Sequence, residues 1–204
     1  MSALIGIKAG MTSFHDENGK MIPVTVIKAG SSFVSQVKTD DTDGYKAVQL
    51  AFGEKKEKNT SKPMKGHFEK AGISPKKKLV EFRGLKEDYS VGQELTLASF
   101  AEGEKVTLVG TSKGKGFQGV VKRHGFSGVG MRTHGQHDRL RAPGSLGASS
   151  FPSRVFKGKK MAGRTGNDRI KLQTKIVKVL ADQEVLLVKG CIPGAKGSYV
   201  IIRK

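Results

Sequence analysis

The residue types that could do chemistry crowd into one stretch. Between Gly110 and Thr165 stand 12 Lys or Arg against a single acid, Asp138, together with 12 of the 27 glycines and three of the five histidines. Exposed guanidinium and ammonium groups without carboxylates suit a polyanion, because arginine forks onto phosphate and lysine meets it as a point charge. The stretch opens with GTSKGKGFQGVVKR. Gly114, Gly116 and Gly119 allow positive φ and close backbone approach, which predicts an anion-binding nest of free N–H groups. Phe117, Val120, Val121 and His124 follow at helical spacing and predict one or two helical turns, with Lys113, Lys115, Lys122 and Arg123 supplying charge. In HGFSGVGMRTHGQHDRLRAPGSLG, the guanidiniums of Arg132, Arg139 and Arg141 can take phosphates or stack on unpaired bases, and His134 and His137 can stack or donate hydrogen bonds. The stretch closes with PSRVFKGKKMAGRT. Arg154, Lys157, Lys159, Lys160 and Arg164 alternate there with apolar residues, which predicts a strand-like return path on phosphates. An ordinary basic edge strand is the plainer alternative.

Other chemistries fit poorly. GKGFQG matches the dinucleotide pattern GxGxxG, but that site needs a full helix, a second strand and an acid on that strand. Here about two helical turns end at Gly125, and Asp138 sits among glycines and arginines. A phosphate-binding P-loop fails because Gly110 lies one position too near Gly114-Lys115, and Gly116 stands where Ser or Thr is required. His134 and His137 are three apart, yet only Asp138 and His124 could join them around a metal, so no metal site is expected. General acid–base catalysis has one carboxylate to work with in the stretch, and Cys191 lies in GCIPG far from any histidine. The expected class is therefore a binding protein, with no enzyme activity, cofactor or small-molecule substrate.

The rest of the chain must position this stretch. Net charge is +19, divided as +3 over residues 1–109, +11 over 110–165 and +5 over 166–204. So large a surplus opposes compaction by self-repulsion and implies a polyanionic partner. Anionic membrane is disfavoured, since no run approaches 18 apolar residues and no basic amphipathic helix appears. The N-terminal MSALIGIKAGMTSF lacks the features of a signal peptide, and a single cysteine suits a reducing cytoplasm. Short β-branched or aromatic runs predict strands at Met21–Ile27, Phe33–Val37, Ala47–Phe52, Leu79–Phe82, Lys105–Val109, Ile170–Val179, Val185–Val188 and Tyr199–Ile202. Turn signals stand at Asn18-Gly19 and Asp43-Gly44, and Ala181-Asp182-Gln183 predicts a hairpin. Such spacing predicts a mainly β barrel or sandwich. Ser61–Ala71, with Pro63 near its start and Gly72 after it, predicts one helix, within a surface insertion over about residues 55–78. Residues 1–109 and 166–204 would then form the globular domain. Residues 110–165 hold too few periodic apolar residues to build a core, and would leave that domain to order against RNA or DNA, of which RNA is the expected partner.

The order of these pieces resembles one family. GTSKGKGFQGVVKRHGF, RAPGSLG, VFKGKKMAGRTGNDR and LLVKGCIPGAKGS are similar to segments of the bacterial form of large-subunit ribosomal protein L three, and the resemblance runs essentially the length of the chain. The family signature is matched by Phe100, Gly110, Ser112, Gly114-Lys115-Gly116, Gly119 and Arg123. It departs at Thr107, where Asp or Asn is usual. It departs also at Ala148-Ser149-Ser150, which lacks the glutamine that some members carry after Gly-Ser-x-Gly. The resemblance implies a barrel related to those of translation factors and an extension threading large-subunit rRNA towards the peptidyl transferase centre. It implies early binding in subunit assembly, neighbouring ribosomal proteins against the barrel, and no catalytic role.

Overall fold

The computed structural model describes residues 2–84, 89–130, 134, 135 and 137–204. Two compact units result: Met1–Thr111 with Arg169–Lys204, and Ser112–Asp168. The first unit is built of β1 (Ala3–His15), β2 (Met21–Lys28), β3 (Ser32–Lys38), α1 (Asp40–Asp43), β4 (Ala47–Glu54), α2 (Lys62–Lys70), β5 (Lys76–Arg83), β6 (Glu94–Leu95) and β7 (Lys105–Thr111). The second unit holds β8 (Phe117–Gln118), α3 (Val120–His124) and β9 (Gly163–Arg164), and the chain then returns to the first in β10 (Arg169–Leu180), β11 (Val185–Lys189) and β12 (Tyr199–Arg203).

The fold is mainly β, and six strands close a barrel in the order β1-β12-β7-β10-β11-β2. Every neighbouring pair is antiparallel. Inward residues alternate along each strand: Leu4, Ile27, Val106, Leu108, Ile176, Leu186, Val188, Val200 and Ile202 fill one core. Leu97, in a short 3-10 turn, and Phe100 pack against it. Gly6 is the point of closest strand approach. A Cβ there would stand 2.6 Å from Ile27 Cγ2, so a larger residue would force β1 from β2.

The strands between Phe33 and Phe82 do not join the barrel. With β6 they form a separate four-stranded sheet in the order β5-β4-β3-β6. The reason lies in β1, which is apolar on both faces. Leu4 points into the barrel, whereas Ala3 and Ile5 join Val34, Val48, Leu50, Phe52 and Phe82 in a second core outside it. The excursion from the barrel thus runs from β3 to β6, wider than the expected insertion of residues 55–78, and α2 is one element within it. That helix matches its sequence signals. Ser61 precedes it, Pro63 lies in its first turn, and Gly72 follows at φ 66°. Phe68 is buried, and His67 Nε2 lies 2.9 Å from Gln49 Oε1, tying the helix to β4.

Polar contacts tie β3 to β5 across β4. Lys38 Nζ lies 2.8 Å from Glu81 Oε1 and donates to the Tyr45 hydroxyl, which in turn donates to Glu81 Oε2 at 3.0 Å. The Arg83 guanidinium lies 4.1 Å from the Tyr45 ring centre. The hydrogen bond from Lys38 holds the Glu81 carboxyl below the usual carboxylate range, although burial acts the other way. The same bond raises the Lys38 ammonium. A depressed carboxyl stabilises the fold above its unfolded pKa, and that contribution is lost as pH falls through the folded value. Glu81→Gln should therefore lower the melting temperature at pH 7, and the gap from wild type should narrow on acidification towards pH 3 in a calorimetric pH series.

Candidate nucleic-acid interface

The second unit begins and ends at a hydrogen-bonded neck. Ser112 N–H donates to the Asp168 carbonyl at 2.9 Å, and Asp168 N–H donates to Ser112 Oγ at 3.1 Å. Lys115 N–H donates to the Thr165 carbonyl at 2.8 Å, and Thr165 N–H to the Gly116 carbonyl at 3.0 Å. β8 and β9 continue this ladder through Phe117↔Arg164 and Gln118↔Gly163. Gly166, at φ 77°, permits the closest approach, because a Cβ there would collide with the Lys113 carbonyl oxygen. Beyond the neck, Arg123 Nη1 donates to the Met161 carbonyl at 2.8 Å, and His124 Nε2 lies 3.0 Å from the same oxygen. The carbonyl of Met161 thus joins the outgoing helix to the returning chain.

Local sequence explains α3. Gly119 precedes it, Val120 is its one buried residue, and Gly125 ends it at φ 72° with its N–H on the Val121 carbonyl. Lys122, Arg123 and His124 occupy the last turn, where positive charge complements the exposed carbonyls. The helix spans five residues, within the one or two turns expected, although Phe117 lies outside it in β8. The nest expected from Gly114, Gly116 and Gly119 does not form as predicted. Of the three only Gly116 has positive φ, and the Lys115 N–H is spent on Thr165. GKGFQG enters a two-stranded ribbon with β9 and not a strand-to-helix turn of a parallel sheet. The return path is strand-like only at Gly163–Arg164; from Pro152 to Ala162 it runs as turns and irregular chain, because no second strand lies beside it.

Lys113, Lys115, Lys122, Arg123, Arg139, Arg141, Arg154, Lys157, Lys159, Lys160 and Arg164 are all exposed. Arg132 lies outside the described residues. His134 and His137 are exposed, and His137 contributes its carbonyl to Arg139 N–H at 2.6 Å. Among the described residues the ion pairs are Lys38–Glu81, Lys46–Asp40 and Lys204–Glu104, none of them in this unit. No group of three potential metal ligands occurs among the described residues. Among the described residues these cations therefore have no carboxylate partner, and they repel one another.

Apolar side chains share that exposure. Phe117, Phe151 and Phe156 are 72%, 88% and 60% exposed, and Val129, Leu140, Leu146 and Val155 are exposed as well. Arg154 lies 5.7 Å from the Phe156 ring centre. Arg139 borders a concavity of about 500 Å³ shared with Phe126, Val129 and Pro143. Open aromatic rings among cations offer stacking faces beside phosphate contacts. Phe117 and Phe151 did not stand out in the sequence as contact residues. Phe117 was grouped in the sequence with the helical spacing of Val120 and Val121, whereas it lies in β8, outside α3.

Residues 85–185 match the family model described as Ribosomal protein L3, a span that takes in the whole second unit. The chain is 55% identical over 205 residues to the large ribosomal subunit protein uL3 of Salinibacter ruber, covering 100% of this chain and 99% of that protein. It is 55% identical to the large ribosomal subunit protein uL3 of Chloroherpeton thalassium, covering 99% and 98%. The chain belongs to the uL3 family. The uL3 family is one of ribosomal proteins, so this chain is a non-enzymatic member of a structural class. No helix among its described residues is long and apolar enough to cross a membrane.

The neck of this uL3 member is testable without a ligand. A side chain forced to positive φ costs about 1–2 kcal/mol, before the clash at Lys113 is counted. Gly166→Ala should then raise the amide exchange rates of Lys115 and Thr165 by roughly 5- to 30-fold or more, with the exchange of Leu108 and Ile202 in the barrel unchanged. Hydrogen exchange read by NMR on the full chain checks both.

Proposed function

We propose that this chain is a structural constituent of the large ribosomal subunit in the cytoplasm, and that it binds large-subunit rRNA through residues 110–165. The carrying observation is the second unit itself: exposed cations with no ion-pair partner among the described residues, around a single buried side chain. Lys113, Lys115, Lys122, Arg123, Arg132, Arg139, Arg141, Arg154, Lys157, Lys159, Lys160 and Arg164 take phosphates or stack on bases, and His134 and His137 assist. Phe117, Phe151 and Phe156 add stacking faces. The barrel serves as the anchor and meets neighbouring ribosomal proteins. The extension follows rRNA towards the peptidyl transferase centre, and the protein joins the subunit early in assembly. No cofactor, membrane or small-molecule substrate enters this role.

The relatives' names support the ribosomal assignment, and the geometry supports the mode of binding. A unit with so little buried apolar surface cannot offset much ordering entropy alone, so its partner must supply the stabilisation. If about ten of its cations meet phosphates, log K for rRNA falls with log salt at a slope of about −7 to −9. Filter binding over a KCl series measures this, and a slope near −2 would reject the count. Limited proteolysis of the free protein should cut first between Lys122 and Arg164, and rRNA should suppress those cuts. First cleavage within barrel strands, or unchanged cutting with rRNA bound, contradicts the reading.

A further inference from the structure

β1 carries a backbone edge that pairs with nothing among the described residues. On that edge β12 pairs as far as Ile7↔Tyr199. Lys8 makes the last bonds, its N–H donating to the Ser198 carbonyl at 3.0 Å and its carbonyl accepting from Gly197 N–H at 2.8 Å. A bulge follows between Lys8 and Gly10, and from Gly10 to His15 the strand pairs with β2 alone. Pro23 decides which groups face outward. Its carbonyl accepts from Gly190 N–H at 2.8 Å, on the far side of β2, so Ser13 opposite it turns its own N–H and carbonyl away from β2. By alternation Met11 and His15 do the same, and no hydrogen bond among the described residues takes these groups.

Unpaired edges recruit foreign strands, and folds blunt them with charge or proline. Ala9-Gly10-Met11-Thr12-Ser13-Phe14 has neither. The face beside the edge is open as well. Met11, Ser13 and His15 share a face with Pro23 and Met21 across the ladder, and Met11 and Met21 are 52% and 63% exposed. Methionine suits a contact surface because its unbranched thioether adapts to what lies on it.

Charge selects the occupant. Residues 9–19 hold Asp16 and Glu17 and no Lys or Arg, the reverse of the chain as a whole. Neither acid has an ion-pair partner among the described residues. A polyanion is repelled by that tip. A second copy of this chain is disfavoured because each copy carries +19. Antiparallel self-pairing about Ser13 would also set Asp16 against Gly10 and Glu17 against Ala9, meeting no base.

We infer that the β1 edge from Met11 to His15 takes an extended segment of a different protein. That segment adds a strand beside β1, lays apolar side chains on Met11 and Met21, and brings a Lys or Arg to Asp16 and Glu17. The inference rests on the ribosomal reading, in which the barrel meets neighbouring proteins, and assigns one such contact its surface and its mode.

The test compares the free full chain with the same chain in large ribosomal subunits. The amides of Met11, Ser13 and His15 should exchange fast in the free chain and slow by about 100-fold or more in the subunit, whereas Thr12 and Phe14, which face β2, start slow. Photoreactive benzoylphenylalanine in place of Met11 should crosslink to another protein in the subunit. Ser13→Pro removes an edge N–H that the fold does not use. It should lower incorporation in competition with wild type by roughly 3- to 10-fold and leave the salt slope on rRNA unchanged, while Ser13→Ala keeps the N–H and matches wild type. Should Ser13→Pro not fold, exchange and crosslinking decide. Edge amides that stay fast in the subunit, a crosslink only to rRNA or to a second copy, or wild-type incorporation of folded Ser13→Pro overturns the edge site and leaves the proposed function standing. A chain that does not enter the subunit at all sinks both.

Discussion

Seven cross-strand pairs between β7 and β10, from Lys105↔Lys175 to Thr111↔Arg169, hold the two ends of the basic unit at one place on the barrel. Everything in the second unit depends on that ladder. Closing so long an excursion carries a length-dependent entropy cost of about 3–4 kcal/mol. Little inside the excursion can offset it, since Val120 is its one buried side chain among the described residues. The cost is carried by the barrel. Leu108 on β7 and Ile176 on β10 are fully buried, and β12 pairs with the other side of β7, so the exit strand is gripped on both edges. The neck pairs between Ser112 and Asp168 then extend the same antiparallel register past the point where the core ends.

Closure of the barrel makes a second demand, this time on β1. It pairs with β12 on one edge and β2 on the other, joining the two ends of the sequence. Its outer face also covers the four-stranded sheet, so Ala3, Leu4 and Ile5 are all buried, whichever way they point. A strand buried on both faces needs small residues where neighbours crowd, which accounts for Gly6 against Ile27. It also tolerates a bulge, seen between Lys8 and Gly10, after which β1 becomes an exposed ribbon with β2.

These features explain what the sequence discloses. Short runs rich in β-branched and aromatic residues announce themselves, as β2, β7, β11 and β12 do, and the Ala181–Gln183 turn between β10 and β11 is legible as the polar break between two such runs. β1 was not legible. Its two-sided burial erases the period-two pattern, and Gly6 and Gly10 imitate loop composition. Nor could local pattern say that β3, β4 and β5 belong to a sheet of their own, because sheet membership is settled by long-range pairing. In the basic unit, type and charge were legible at each residue, whereas backbone shape was not. Gly116 adopts positive φ and Gly114 and Gly119 do not, a distinction made by the neck hydrogen bonds to Thr165, some fifty residues along the chain.

The uneven division of charge follows from the same architecture. A barrel core requires tight packing, and residues 1–109, which supply much of it, carry 17 cations against 14 acids. Acids such as Glu81 and Glu104 there neutralise lysines at the rim of the packed unit. Residues 110–165 have no such core to protect. Their one acid, Asp138, has no ion-pair partner among the described residues. Exposed Phe117, Phe151 and Phe156 would be a liability on a closed globule, and in the function proposed above they serve as stacking faces. Polarity and repulsion, which would disqualify this composition as a domain, are the properties that suit it to be ordered from outside.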